Sequence, residues 1–270
     1  MSDYLIDIGA NLTHSDYEND LNAVIDNALN CNIKKLIITG ATKKESIKAH
    51  ELTLSRKDNL FCTAGVHPHY ADTYDQETEK VIYDLATRNS VVAIGECGLD
   101  YFRNFSSKDS QINAFINQIE IAKTVKLPLF LHQRDAHNDF VKIMEDHYDQ
   151  SIKGVAHCFT GTKEMLAEYL EMGLYIGITG WICDERRGVE LQKIVNQIPL
   201  DKIMIETDCP YLLPRTLKPK PKSRRNEPKF LHEIVKMIAL NTDYSSTEII
   251  NQSTKNTNRL FNLPIFNNDL

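Results

Sequence analysis

Apolar residues in this chain fall into eight short runs, separated by longer stretches in which apolar positions recur with helical spacing. A nearly continuous apolar run of five to seven residues is typical of a strand that is buried on both faces of a parallel sheet. The pattern therefore predicts eight strands, at residues 4–9, 35–40, 60–66, 91–96, 128–132, 154–159, 174–179 and 202–207.

The intervening segments have the pattern of amphipathic helices. In residues 21–33, apolar side chains from Leu21 to Leu29 recur at i, i+3, i+4, i+7 and i+8, and residues 112–125 show a similar helical spacing. Eight strand–helix units favour a TIM (β/α)8 barrel over a doubly wound open sheet, since no GxGxxG motif follows the first strand. A proline-rich loop and two extra helices, 228–241 and 246–261, complete one predicted domain, residues 1–270.

Composition narrows the function classes. Hydrophobic residues make up 42% of the 270, which predicts a packed core, and the net charge of −6 argues against coating nucleic acid through global charge. No apolar run approaches the roughly 20 residues that span a bilayer, and the N-terminus has no basic region. The six cysteines form no CxxC pair and are expected to be small buried hydrophobes. We expect a cytosolic monomer without membrane contacts.

Four side chains of metal-ligand type sit where four of the predicted strands end: Glu96, His132, His157 and Asp208. Because the carboxyl ends of barrel strands converge at one face, this placement predicts a shared metal site. The mixed nitrogen and oxygen set suits Mg²⁺, Mn²⁺ or Zn²⁺. A metal there can activate water, and a nearby carboxylate can act as a general base.

For other residues near the predicted strand ends, the sequence allows either a functional or a purely structural role. His67 and His69 are candidates for substrate contacts or proton shuttling, or for a simple His–Pro turn, and Glu206 is either a supporting partner of the histidines or a buried acid. Segment 215–225, with six basic residues and no acid, is either a phosphate-binding loop or a solvated one. Aromatic and arginine side chains suited to nucleic acid occur in the same loops: Tyr101, Phe102, Phe159, Trp181, Tyr211, Arg103, Arg134, Arg186 and Arg187.

Seven sequence blocks cover nearly the whole chain in order: TAGVHPH (63–69), VVAIGECGLDYFRNFS (91–106), LPLFLHQRDAH (127–137), GVAHCFTGT (154–162), YIGITGWICDERRG (175–188), IETDCPYLLPR (205–215) and SRRNEP (223–228). Together these blocks resemble the TatD family of metal-dependent deoxyribonucleases, within the amidohydrolase-like barrels, and they are most similar to the branch from which the family takes its name. The resemblance implies divalent-metal-dependent cleavage of phosphodiesters, and for that branch it implies 3′→5′ exonuclease action on single-stranded DNA with some action on RNA.

The resemblance also assigns roles by motif. It implies metal ligation by Glu96, His132, His157 and Asp208, with Asp208 and Glu96 catalytic, and it places His67, Arg134, Arg225 and Asn226 near substrate. One departure stands out, since Gly9 and Asn11 occupy the positions of an HxH pair that most members carry on the first strand. An oxygen-rich first site favours Mg²⁺ or Mn²⁺ over Zn²⁺, with one or two ions per chain.

Three functions follow from this sequence, in order of preference. The first is a nuclease in which metal-activated water attacks a phosphodiester of single-stranded DNA or RNA. The second is a hydrolase on the same barrel that acts on an ester, lactone or amide, against which the basic segment 215–225 speaks. The third is a non-catalytic nucleic-acid-binding protein whose site has decayed at Gly9 and Asn11.

Overall fold

A computed structural model of the chain describes residues 4–147 and 153–264. Eight strands form one sheet in the order β1 to β8, and each helix-containing connection links one strand to the next. The strands are β1 Leu5–Ala10, β2 Ile33–Ile38, β3 Leu60–Ala64, β4 Val91–Asp100, β5 Leu129–Arg134, β6 Gly154–Ala156, β7 Tyr175–Ile178 and β8 Ile203–Ile205.

The sheet is parallel and its first and last strands meet. The pairs β3–β4, β4–β5, β5–β6 and β7–β8 are all parallel. A parallel bridge joins Ala10 to Cys209, and the amide of Asp208 donates to the carbonyl of Gly9 at 2.8 Å. A parallel sheet whose ends pair in this way is a TIM (β/α)8 barrel, which confirms the predicted fold class.

The helices begin at residues that the sequence suits to that task. Thr42, Asp75, Ser107, Thr162 and Ser245 each precede a helix and accept a hydrogen bond from an amide in its first turn. The helices are α1 Leu21–Asn30, α2 Lys43–Thr53, α3 Gln76–Ala86, α4 Lys108–Val125, α5 His137–His147, α6 Lys163–Glu171, α7 Val189–Ile194, α8 Leu231–Leu240 and α9 Ser246–Phe261. Among the described residues, no helix is long and apolar enough to cross a membrane.

The contacts of the chain divide into two compact units. The first unit comprises Met1–Ile37 together with Cys158–Leu270, and the second comprises Ile38–His157. Each has its own buried apolar core, which includes Ile8 and Ile205 in the first unit and Leu99 and Phe130 in the second. The single domain proposed for residues 1–270 stays a prediction.

Two strands extend further than the apolar pattern predicts. Strand β4 runs to Asp100 and β5 to Arg134, so Glu96 and His132 lie inside strands and the prediction that both strands end at these residues was wrong. The register of β4 against β5 shifts between Gly95 and Cys97. The irregularity allows β4 to continue through the polar residues of GECGLD, which the apolar pattern could not anticipate.

Candidate metal centre

In the unit Ile38–His157, three imidazole rings surround one carboxylate oxygen of Glu96. Glu96 Oε1 lies 2.9 Å from His157 Nε2, 3.0 Å from His132 Nδ1 and 3.4 Å from His67 Nε2. All four residues are almost inaccessible, with side chains between 4% and 17% exposed. The structure thus brings together three of the four predicted metal ligands and adds His67, which the sequence placed near substrate.

Strand geometry explains why these side chains meet. The amide of Glu96 donates to the carbonyl of Gly40 at 2.9 Å, and the amide of His157 donates to the carbonyl of Leu131 at 2.9 Å. Gly98 lies opposite His132 with a φ of +138°, and a Cβ atom there would stand 1.9 Å from the His132 carbonyl oxygen. Only glycine allows the two strands to approach this closely.

The electrostatics of the cluster favour an ionised carboxylate. Burial alone would raise the pKa of Glu96, but the imidazoles of His67, His157 and His132 hold it well below its ordinary value. Burial lowers the pKa of His67 to about 4, so this ring is neutral at pH 7. Burial also opposes protonation of His132, yet the carboxylates of Asp100 and Glu96 raise its pKa overall.

Asp100, the last residue of β4, supports the cluster and was not singled out by the sequence analysis. Its Oδ2 accepts a hydrogen bond from His69 Nε2 at 2.8 Å and lies 3.4 Å from His132 Nε2. Its Oδ1 accepts from the amides of Phe102 and Arg103. Although burial works against it, these hydrogen bonds hold the pKa of Asp100 far below its usual range. His132 therefore has one ring nitrogen facing Glu96 and the other facing Asp100.

Two buried glutamines of α4 fix the backbone beside the cluster. Gln118 accepts from the amide of Val66 at 2.8 Å and donates to its carbonyl at 3.1 Å, directly before His67. Gln111 makes the same pair of bonds with the backbone of Asp100. The spacing of seven residues puts both amides on one face of the helix. A buried polar residue within an amphipathic pattern was the available signal for this role.

The residues of the cluster fit a divalent cation. Ligand atoms of His67, Glu96 and His132 all lie within 4.8 Å of one another. Two ligands bound to one cation at about 2.1 Å are separated by about 3.0–3.4 Å, and the distances of 2.9, 3.0 and 3.4 Å from Glu96 Oε1 are close to this range. Two imidazoles and a carboxylate are ligands for Mn²⁺, Zn²⁺ or Mg²⁺ rather than for copper(I).

The other unit holds Asp208, the fourth predicted ligand. It follows β8 with a φ of +53°, and its Oδ1 accepts a hydrogen bond from Asn11 Nδ2 at 2.9 Å. Asn11, which stands at one of the two positions where the resemblance implied a histidine, thus donates to Asp208. Gly9 contributes its carbonyl to the amide of Asp208, which fixes the backbone on which this carboxylate stands.

Asp7 and Asn226 brace the same segment of backbone from within the core. Asp7 is fully buried, and it accepts hydrogen bonds from the amides of Gly9 and Thr207 and from the Thr207 hydroxyl. Burial raises the pKa of Asp7 to about 7. Asn226, also fully buried, donates to the Thr207 carbonyl at 3.0 Å and accepts from the amide of Glu227. These contacts are structural, and a role of Asn226 toward substrate stays a prediction.

The basic segment 215–225 is partly neutralised by its own unit. Arg225 binds both carboxylate oxygens of Asp20 at 2.7 and 2.8 Å and also contacts Glu227 at 2.9 Å. Arg215 pairs with Glu185 at 2.6 Å. The four remaining basic residues of the segment are exposed, namely Lys218, Lys220, Lys222 and Arg224. Substrate contact by Arg225 stays a prediction.

Glu206 and Arg134, which the sequence also singled out, have different surroundings. Glu206 is fully buried and accepts a hydrogen bond from the amide of Cys158 at 2.5 Å, in agreement with the interpretation of a buried, hydrogen-bonded acid. Arg134 is the last residue of β5, and its guanidinium lies 3.8 Å from the centre of the Phe102 ring.

The cysteines at 62, 97, 183 and 209 are buried, as predicted, whereas Cys31 is exposed and Cys158 is partly exposed.

A TIM barrel with histidines and carboxylates gathered in and after its strands defines the class of metal-dependent hydrolases of the amidohydrolase type. Comparison with known families identifies the particular group. The family described as TatD related DNase matches residues 6–262, and the chain belongs to this family.

Individual relatives agree with this assignment. The chain is 48% identical over 236 residues to a 3′–5′ ssDNA/RNA exonuclease TatD of a Rahnella species, covering 87% of this chain and 90% of that protein. It is 45% identical to the protein of the same name from Erwinia tasmaniensis, covering 96% and 100%. Among solved structures, a TatD family hydrolase from Entamoeba histolytica superposes with a TM-score of 0.88 at 30% identity, covering 97% and 99%.

Proposed function

We propose that this protein is a divalent-metal-dependent nuclease that removes nucleotides from the 3′ end of single-stranded DNA and also acts on RNA. The observation that carries the proposal is the Glu96 carboxylate oxygen with three imidazole nitrogens within 3.4 Å. Membership of the TatD related DNase family supports nuclease chemistry, and the relatives named as exonucleases support the substrate and the polarity.

In this proposal Glu96, His132, His157 and Asp208 hold one or two ions, with Mg²⁺ or Mn²⁺ preferred. A divalent cation held by these residues would lower the pKa of a bound water and would stabilise charge on the phosphoryl group. Glu96 supplies the negative charge that the cation requires, and burial keeps competing water away from it. Asp208 orients the attacking water and accepts its proton, with Asn11 fixing the carboxylate orientation through the hydrogen bond at 2.9 Å.

The remaining assignments also belong to the proposal. His67, Arg134, Arg225 and Asn226 are retained as candidate substrate residues, and neutral His67 suits either a metal or a phosphate oxygen. Location in the cytosol and a monomeric state stay predictions.

The test uses a single-stranded oligonucleotide labelled at its 5′ end, incubated with EDTA or with Mg²⁺, Mn²⁺ or Zn²⁺. We expect a metal-dependent ladder that shortens from the 3′ end, and its loss in Glu96→Gln and in Asp208→Ala. Glu145→Gln, which changes an exposed carboxylate of α5, serves as the control. Absence of cleavage with every cation, or full activity in either site variant, would contradict the proposal. Turnover of an ester or lactone without any cleavage of oligonucleotides would favour the alternative hydrolase.

A further inference from the structure

The loop between β4 and α4, residues 101–107, presents two phenyl rings to solvent. Phe102 is 54% exposed and Phe105 is 65% exposed. One exposed apolar side chain is ordinary on a protein surface. Here two exposed rings lie three residues apart, in a loop that directly follows Asp100, and flat apolar rings of this kind can stack with other planar groups.

Unpaired guanidinium groups accompany these rings. Arg134 Cζ lies 3.8 Å from the centre of the Phe102 ring, and Arg103 Cζ lies 6.0 Å from Phe102 and 5.9 Å from Phe105. Within the described part of the chain, neither arginine forms an ion pair with a carboxylate. Four other arginines that the sequence analysis named are paired with acids, namely Arg186, Arg187, Arg215 and Arg225.

The backbone holds the two rings in their exposed position. Asp100 Oδ1 accepts hydrogen bonds from the amides of Phe102 and Arg103 at 3.0 and 2.9 Å. Ser106 donates to the carbonyl of His69 at 3.0 Å and accepts from the amide of Asp72 at 3.1 Å. A surface that is ordered before binding loses little conformational entropy when a ligand arrives.

A chain of ring contacts connects this loop to the metal centre within the same unit. The Phe105 ring packs edge-on against His69 at 4.9 Å, and the His69 ring lies 4.2 Å from that of His67. His67 in turn lies 3.4 Å from Glu96. A ligand that rests on the phenyl rings is therefore adjacent to the cluster that we propose as the site of cleavage.

Three of the four other aromatic residues that the sequence singled out do not offer such a surface, and the fourth, Tyr211, is 53% exposed but belongs to the other unit. The hydroxyl of Tyr101 donates to Asp139 at 2.8 Å, and this residue is less exposed than Phe102. Phe159 is only 4% exposed. Trp181 donates its indole N–H to the carbonyl of Arg187.

We propose that Phe102 and Phe105 form a stacking surface for nucleobases of the single strand, and that Arg103 and Arg134 bind its phosphates. The inference rests on the proposed nuclease function and adds how that site selects its substrate. Base stacking on aromatic rings tolerates any sequence, and it requires bases that are free of a complementary strand. The surface therefore favours single strands over duplexes.

The first test compares two probes in the Glu96→Gln background, where cleavage does not disturb a binding measurement. One probe is a 5′-fluorescein oligothymidylate, and the other has the same length with abasic residues at its 3′ end. By anisotropy we expect the base-bearing strand to bind at least about tenfold more tightly, the value for stacking of one or two bases. We expect Phe102→Leu/Phe105→Leu to reduce this ratio below about twofold, while Tyr83→Leu, an exposed tyrosine of α3, leaves it unchanged.

The second test addresses the arginines through salt dependence. Replacing Arg134 with Gln removes one phosphate contact and lowers the slope of log affinity against log salt by about 0.7, whereas Arg134→Lys retains the slope. Equal affinity for both probes in the parent protein, or an undiminished ratio in the double Phe variant, overturns the inference. If the wild-type protein cleaves oligonucleotides with a metal in that case, the proposed function stands alone. If it neither binds nor cleaves them, both fail.

Discussion

Replacing Asp100 with Asn separates two tasks that one carboxylate performs. Its Oδ1 accepts the amides of Phe102 and Arg103, whereas its Oδ2 faces His69 at 2.8 Å and His132 at 3.4 Å. An Asn side chain keeps one oxygen for the two amides, so the loop is expected to retain its conformation. The two imidazoles lose a negative charge, and they face an N–H₂ group instead of an acceptor.

The expected cost follows from these distances. Removing a carboxylate that supports a metal-binding histidine reduces metal affinity by about 10–100-fold. The contact between Asp100 and His132 is 3.4 Å, which is longer than a good hydrogen bond, so the lower part of that range applies. We therefore expect Asp100→Asn to weaken Mn²⁺ binding about tenfold, equivalent to about 1.4 kcal/mol.

Calorimetric titration of the purified protein with Mn²⁺ measures this change directly, and cleavage at saturating Mn²⁺ shows how far added metal restores activity. Asp84→Asn, which removes the same charge from an exposed position of α3, is the matched control. Thermal unfolding and circular dichroism establish that both variants are folded. Mn²⁺ affinity within twofold of wild type in folded Asp100→Asn would refute the reasoning, because Asp100 would then have no influence on the ligand set.

Three further predictions concern stability. Burial raises the pKa of Asp7 to about 7 from 3.8, so its contribution to the free energy of unfolding is complete below about pH 4 and is lost as the pH rises through about 7. The Tm of the wild-type protein should therefore fall over this pH range, and Asp7→Asn should flatten the fall; a Tm profile that is unchanged in the variant would contradict this prediction. Arg225→Ala should lower the free energy of unfolding by about 2 kcal/mol through its lost carboxylate contacts, whereas a raised KM for single-stranded DNA at unchanged Tm would indicate a phosphate contact instead. Gly98→Ala should cost more than about 4 kcal/mol because its Cβ meets the His132 carbonyl; Gly173→Ala, with a φ of +79° and no atom within 4 Å of the new Cβ, should cost only about 1–2 kcal/mol, and equal losses in unfolding experiments would exclude the steric explanation.

The predicted fold was accurate because the barrel repeats one local pattern eight times. A strand buried on both faces must be apolar throughout, and a helix that covers it must have one apolar stripe, so both patterns are present in the sequence. The predicted strand ends were wrong where polar residues of the candidate metal centre interrupt the apolar pattern. Strand β4 continues beyond Glu96 to Asp100, since ladder hydrogen bonds and glycines at 95 and 98 determine its length rather than apolar side chains.

The sequence by itself determined which chemistry is present: histidines and carboxylates in or after barrel strands, basic loops, and motifs of one nuclease family. Only the tertiary structure decided which of these groups meet. It placed His67 beside Glu96, brought the Asp100 carboxylate into contact with His69 and His132, and showed that Arg225 is paired with acids. Such choices depend on side-chain distances between segments far apart in the chain, which local periodicity does not encode. An arginine reads the same in sequence whether a carboxylate neutralises it or its charge stays available for a phosphate.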